Sequence, residues 1–157
     1  MSITMKNGLI DQMDKFHKRI ASTNISKYKK VAKNQLVVGF PIDEGVLGFQ
    51  TKYEFAAVSP AYKIWKLKRT DINIKFIEIL IRSLVMRKVY GKLMQGSVDR
   101  RRSINNDIFT KIKLPIPSNI NQEKVLKCHK EIERQKIRIK KLEHKIQIDI
   151  SKLWVQG

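Results

Sequence analysis

Three consecutive arginines, Arg100, Arg101 and Arg102, follow the flexible stretch Gln95-Gly96-Ser97 and precede Ser103. Guanidinium groups on such a loop can contact successive phosphates or turn a bidentate fork toward guanine. The run Gln50-Thr51-Lys52-Tyr53-Glu54 offers a second set. Its side chains are of the kinds that hydrogen-bond base edges, and Lys52 suits a phosphate. Ser59 can bond a phosphate or simply hold a turn before Pro60 and Tyr62. Lys66, Lys68 and Arg69 are candidate clamps on a nucleic-acid backbone. The candidate DNA-binding residues are therefore Lys52, Tyr53, Ser59, Lys66, Lys68, Arg100, Arg101 and Arg102. The alternative for each group is a solvated charge run or a plain surface turn.

Catalytic chemistry finds no foothold. His17, His129 and His144 are scattered, and no His, Cys and Asp residues share metal-ligand spacing. There is no nucleophile elbow and no phosphate-binding glycine loop. Asp43-Glu44 would need further converging groups to hold a metal at a scissile phosphate, and acids before a glycine are ordinary in a turn. No catalytic residue, metal or cofactor is expected. The one cysteine, Cys128, excludes an internal disulfide and a cysteine-based zinc site.

The elements that would position these groups are short. Leu36-Val37-Val38, Gly45 to Phe49 and Phe55 to Ser59 read as strands, and Ala61 to Leu67 alternates like a half-buried one that places Trp65 in a core. Thr70 or Asp71 is predicted to cap a helix carrying Ile72, Phe76, Ile79, Leu80, Leu84 and Val85 to about Met94, with Gly91 a possible interruption. Asn105 to Phe109 suggests a brief helix and Ile112 to Leu114 a last strand. Residues 1–25 fit either a short helix or a loop. Pro115 and Pro117 force an extended exit, after which Ser118 or Asn119 caps a long helix with Gln122 and Glu123 in its first turn.

That helix carries a seam. Val125, Cys128, Ile132, Gln135, Ile139, Leu142, Ile146, Asp149 and Leu153 are spaced alternately three and four apart, and seven of the nine are apolar. This is the heptad pattern of a coiled coil, with Gln135 and Asp149 as polar exceptions of the kind that set register or partner. Val125, Ile132, Gln135, Ile139, Leu142, Ile146 and Leu153 are the predicted interface. The other reading is an amphipathic helix packed on its own domain. Trp154, one residue past the seam, argues mildly for a covering partner. The fold class expected is α+β: a small mixed domain over 1–117 and a long coiled-coil helix over 118–157.

The pattern resembles a known family. The run IKLPIPSNINQEKVLKCHKEIERQKIRIKKLE, Ile112 to Glu143, is similar to the junction between a target recognition domain and the long helix in specificity subunits of type I restriction–modification systems. Here the family's Glu-Gln pair stands as Gln122-Glu123. SKYKKVAKNQLVVGFPIDEGVLGFQTKYEFAAVSPAYKIWKL, Ser26 to Leu67, resembles the family's strand core with its "SPaY" turn at Ser59 to Tyr62. QGSVDRRRSINNDIFTKIKLPIP, Gln95 to Pro117, resembles the loop, helix and strand before the proline exit. No single motif is specific, but their order and spacing are.

The resemblance implies a subunit that reads double-stranded DNA while a methyltransferase subunit and, through it, a restriction subunit act on it. A complete family member has two recognition domains and two helices that pair antiparallel. This chain has one of each and enters the recognition domain partway. It is therefore expected to be a half-subunit that homodimerises or joins a second specificity half. The alternative is a non-catalytic coiled-coil adaptor, or truncated remnant, that binds a protein partner without reading sequence. An autonomous nuclease is the weakest reading.

Composition agrees with a polyanion partner. Over 157 residues the formal charge is +19, with a pI near 10.2, which steers association with nucleic acid. A Lys- and Ile-rich composition alone, or an acidic protein partner, would account for the same charge. No apolar run reaches spanning length and no signal-peptide pattern opens the chain. A cytoplasmic protein without a membrane partner is expected.

Overall fold

A computed structural model describes residues 1–11, 26–94 and 104–155, and the chain divides into two compact units, Met1–Ile116 and Pro117–Gly157. The protein is α+β, with small sheets and helices and one long helix at residues 119–155.

The first unit is built on seven short strands: β1 (Ser2–Thr4), β2 (Gly8–Ile10), β3 (Lys29–Ala32), β4 (Gln35–Val38), β5 (Leu47–Phe49), β6 (Phe55–Val58) and β7 (Lys63–Lys66). They form an antiparallel hairpin β1–β2, an antiparallel pair β3–β6 and an antiparallel sheet in the order β5–β4–β7. The β-branched residues Val31, Val37 and Val58 lie at its centre, where they pack with Ile3, Leu9 and Ile64. The hairpin is new relative to the sequence reading of residues 1–25 as helix or loop. It lies against β5, where a Cβ added at Gly48 would sit 2.7 Å from the Leu9 nitrogen. Only glycine permits that approach.

Helices add Phe76, Ile77, Ile81, Met86 and Tyr90 to the buried core. α1 (Ile74–Ile81) starts at Asn73, whose side chain accepts from the N–H groups of Lys75 and Phe76. Neither Thr70 nor Asp71 is the cap; Asp71 is instead gripped by Arg69. The long helix expected to Met94 is two helices. Ser83 leaves the helical conformation and accepts from the Met86 N–H, so that α2 (Leu84–Leu93) begins afresh. Serine at such a position stabilises a start about as well as any residue. Gly91 interrupts nothing. The Tyr90 hydroxyl, buried, donates to the Ile81 carbonyl at 2.9 Å and ties the end of α1 to α2. Burial pushes that phenol far above its ordinary pKa. The Arg87 guanidinium donates to the Asp43 carbonyl at 2.7 Å, so Asp43-Glu44 sits in a 3₁₀ turn (Ile42–Glu44) closed by Gly45 at a φ of 78°. α3 (Asn106–Thr110) is the predicted brief helix, capped by Asn105. Phe109 on it stacks obliquely on Trp65, ring centres 5.2 Å apart. Ile112 to Leu114, expected as the last strand, is not one and pairs with no strand among the described residues.

The second unit is α4 (Asn119–Val155), a helix of 37 residues and so about 55 Å long. The Ser118 carbonyl accepts from the N–H groups of Asn121 and Gln122, each at 3.0 Å. Gln122 Nε2 donates to the Pro117 carbonyl and the Asn119 amide oxygen, anchoring the first turn. Ion pairs Glu131–Arg134, Glu133–Lys136 and Asp149–Lys152 run along its surface. Such exposed pairs add little to stability, because solvent screens the charges and ordering two long side chains costs entropy. No helix among the described residues is long and apolar enough to cross a membrane.

Candidate nucleic-acid interface and exposed helix seam

Strand register decides which candidate residues meet. Gln35 opens β4 opposite Lys66, the last residue of β7, and Leu36 lies opposite Phe49, the last residue of β5. The loop after β5 and the exit from β7 therefore emerge at one end of the sheet. The turn from β3 to β4 is there too, with Asn34 at φ 65° and its N–H bonded to the Gln50 carbonyl. Lys33, Lys52, Lys66 and Lys68 are all exposed at this end. Lys33, Lys66 and Lys68 have no ion-pair partner among the described residues. A run of unneutralised ammonium groups at one rim suits a polyphosphate.

Two side chains extend the patch. Phe55 begins β6 opposite Ala32 and is exposed, and the Lys30 ammonium lies 3.6 Å from its ring centre. Lys30 and Phe55 are diagonal neighbours across the strand pair. Sequence reasoning overlooked them because neither lies in a loop. The signal was present in the alternation of Lys29-Lys30-Val31 once β6 is its partner. An exposed aromatic beside cations can stack on a base.

The loop 50–54 is more constrained than its composition suggested. Gln50 is fully buried, and its amide oxygen accepts from the N–H groups of Lys52 and Tyr53 at 2.7 and 2.9 Å while its amide nitrogen donates to the Tyr53 carbonyl. It braces the loop from within and has no face toward a base. The Tyr53 hydroxyl donates to Asp11 at 2.6 Å, and the Lys52 ammonium stands 3.9 Å from the same carboxylate. Asp11 thus offsets part of the positive charge that Lys52 brings.

Ser59 stands apart. Val58 pairs with Lys29 at the start of β3, and Lys63 pairs with Val38 at the end of β4, so Ser59 belongs to the opposite end of the strands. Its hydroxyl accepts from the Ala61 N–H and its carbonyl from the Tyr62 N–H. Both bonds hold the turn before Tyr62. Tyr62 is half-buried; burial and Tyr28 raise its phenol's pKa, while the Ile3 backbone opposes them. Arg69 is bound through two nitrogens to Asp71, which holds the Asp71 carboxyl below the usual range and reduces its value as a phosphate clamp. Arg100, Arg101 and Arg102 lie outside the described residues.

An apolar cavity of about 520 Å³ opens between β4, β7 and α3, walled by Phe40, Ile42, Trp65 and Phe109. Its one ammonium, Lys63, donates to the Ile104 carbonyl at 3.1 Å. No group of three or more His, Cys, Asp or Glu residues among those described could hold a metal ion.

On α4 the seam faces outward within its unit. Ile132, Ile139, Leu142, Ile146 and Leu153 keep 52, 53, 53, 55 and 72% of their surface exposed, and Trp154 keeps 84%. Cys128, also on the seam, is exposed in the single chain. Gln135 donates to Glu131 at 2.7 Å. That bond and Arg134 lower the Glu131 carboxyl below its ordinary pKa. Asp149 pairs with Lys152, and the apolar series continues from Ile146 through Ile150 to Leu153. Leu142 to Ile146 and Ile146 to Ile150 are two successive steps of four, a stutter that brings Ile150 onto the seam in place of Asp149.

Comparison with protein-family models, curated proteins and solved structures returned no match.

Proposed function

We propose that this chain is a non-catalytic reader of double-stranded DNA, half of a type I restriction–modification specificity subunit. It would direct a methyltransferase subunit, and through it a restriction subunit, to a sequence. The observation that carries the reading is the shared rim of Lys33, Lys52, Lys66 and Lys68, extended by Lys30 and Phe55. The ordered resemblance over residues 26–145 and the charge of +19 support it. Lysines at the rim position the duplex through phosphates, and the loops between them reach base edges. The cytoplasm is the compartment where such a complex works.

The test is selection from a randomised duplex pool at low and near-physiological salt, with the bound fraction sequenced. An enriched motif that survives the higher salt supports the reading. Uniform binding that vanishes with salt rejects it, since a polycation alone behaves that way. The exposed seam of α4 favours a second reading, a coiled-coil adaptor for a protein partner. In that case no motif emerges and substitutions on α4 alone abolish function.

A further inference from the structure

We infer that a second cavity, of about 410 Å³ beside the lysine rim, receives one nucleotide, its base inside and its phosphate on Lys66 and Lys68. The volume falls within the roughly 300–1,000 Å³ of small-molecule sites. The inference deepens the proposed DNA reading, and it rests on that reading only for the source of the nucleotide, a DNA strand.

The cavity lies where β7, α1, α2 and α3 meet. Four aromatic side chains line it, Phe49, Trp65, Tyr90 and Phe109. Flat π-faces accept a base of any identity by stacking. Lys66 and Lys68 line it too, and both are exposed without an ion-pair partner among the described residues. Lys66 stands opposite Gln35, at the end of the sheet that carries the rim. An aromatic interior beside two unneutralised ammonium groups suits a ring that carries a phosphate. A neutral apolar ligand would leave the charges unused. The cavity of about 520 Å³ lacks this pairing, because its one ammonium, Lys63, is already bound to the Ile104 carbonyl.

Two polar groups can read the base edge. The Thr110 hydroxyl donates to the Asp107 carbonyl at 3.1 Å, so its oxygen keeps lone pairs for a base N–H. The Trp65 indole N–H is buried and has no acceptor among the described residues. A buried donor left unpaired is costly, and a base carbonyl or ring nitrogen would relieve it. Trp65 and Phe109 line both cavities. The indole therefore has open space beyond one wall, and a turn of its ring presents the N–H to an entering base.

A base in an intact duplex must leave its stack to enter, which costs least where it has no pairing partner. The test has two arms and uses the full chain carrying Trp154→Phe, so that Trp65 is the one tryptophan left. In the first arm, each of the four deoxynucleoside monophosphates is titrated and Trp65 emission is read. In the second, affinity for a fully paired duplex is compared with that for a duplex in which one base faces an abasic site. Each arm is repeated with Ile112→Trp, which fills the cavity and leaves Lys66 and Lys68 in place, and with Thr110→Phe should Ile112→Trp fail to fold. Saturable quenching by a mononucleotide, lost in the filled variant, supports the inference with a free nucleotide as ligand. A preference of roughly ten-fold for the unpaired base, lost in the filled variant while binding to paired DNA persists, supports it with DNA as the source. Absence of both effects, or their persistence in the filled variant, overturns it. Motif selection from paired DNA would survive that outcome, so the two readings fail separately.

Discussion

The same kinds of side chain meet opposite fates in the two units. Val31, Val37 and Val58 are wholly buried, whereas the isoleucines and leucines of α4 keep about half of their surface in solvent. The first unit closes because its strands fold back on one another and shield both faces. A single helix has no second layer, however strong its pattern, and must find one elsewhere. Apolar content thus distinguishes the units less than the presence of non-local partners does.

The sharpest way to break the contrast is one charge in each unit. Val37→Asp buries an unpaired carboxylate and should cost about 4 kcal/mol or more, unfolding the first unit. Ile139→Asp should leave the thermal melting of that unit unchanged and abolish self-association in sedimentation. Melting of the first unit in the Ile139→Asp chain would show that the helix supports it, contrary to the comparison. Next comes Tyr90→Phe, which leaves the Ile81 carbonyl without its donor and should cost roughly 1–2 kcal/mol, read as a lower denaturant midpoint with an unchanged slope.

Smaller effects sharpen the comparison. Lys66→Ala and Lys68→Ala should weaken DNA binding across all sequences, each lowering the salt slope by about one unit if it contacts a phosphate. Equivalent loss from alanine at Lys140 and Lys141 on α4 would move the DNA surface to the helix. The smallest effect is one of pH. The Glu131 carboxyl is held down by Gln135 and Arg134. Its contribution is therefore present above the ordinary glutamate range and lost as pH falls through its lowered value. Helix content by circular dichroism should show a shallow acid step that Glu131→Gln removes.

Local patterns were legible in the sequence, and distant pairings were not. The seam of α4, the proline exit and the brief helix around Asn106 to Thr110 were readable because each depends on neighbours within about one turn. The hairpin β1–β2 was missed because Ser2–Thr4 and Gly8–Ile10 are three residues each, too short for any period to emerge. The division of α1 from α2 was missed because apolar spacing runs through Ser83, whose hydroxyl decides the matter. Among the candidate DNA-binding residues, Lys52, Tyr53, Lys66 and Lys68 were named from composition, but only strand register shows that they share an end. Gln50 deceived because a buried amide and a base-reading amide look alike in a sequence.

The tryptophans carry the contrast into optics. There is one in each unit: Trp65, packed on Phe109, and Trp154, almost bare. Iodide should quench the red-shifted emission of Trp154 first and spare the bluer emission of Trp65. When a partner covers the end of α4, that red component should shift and become protected while the other stays constant. The chain thus reports the occupancy of its unfinished half with no added dye.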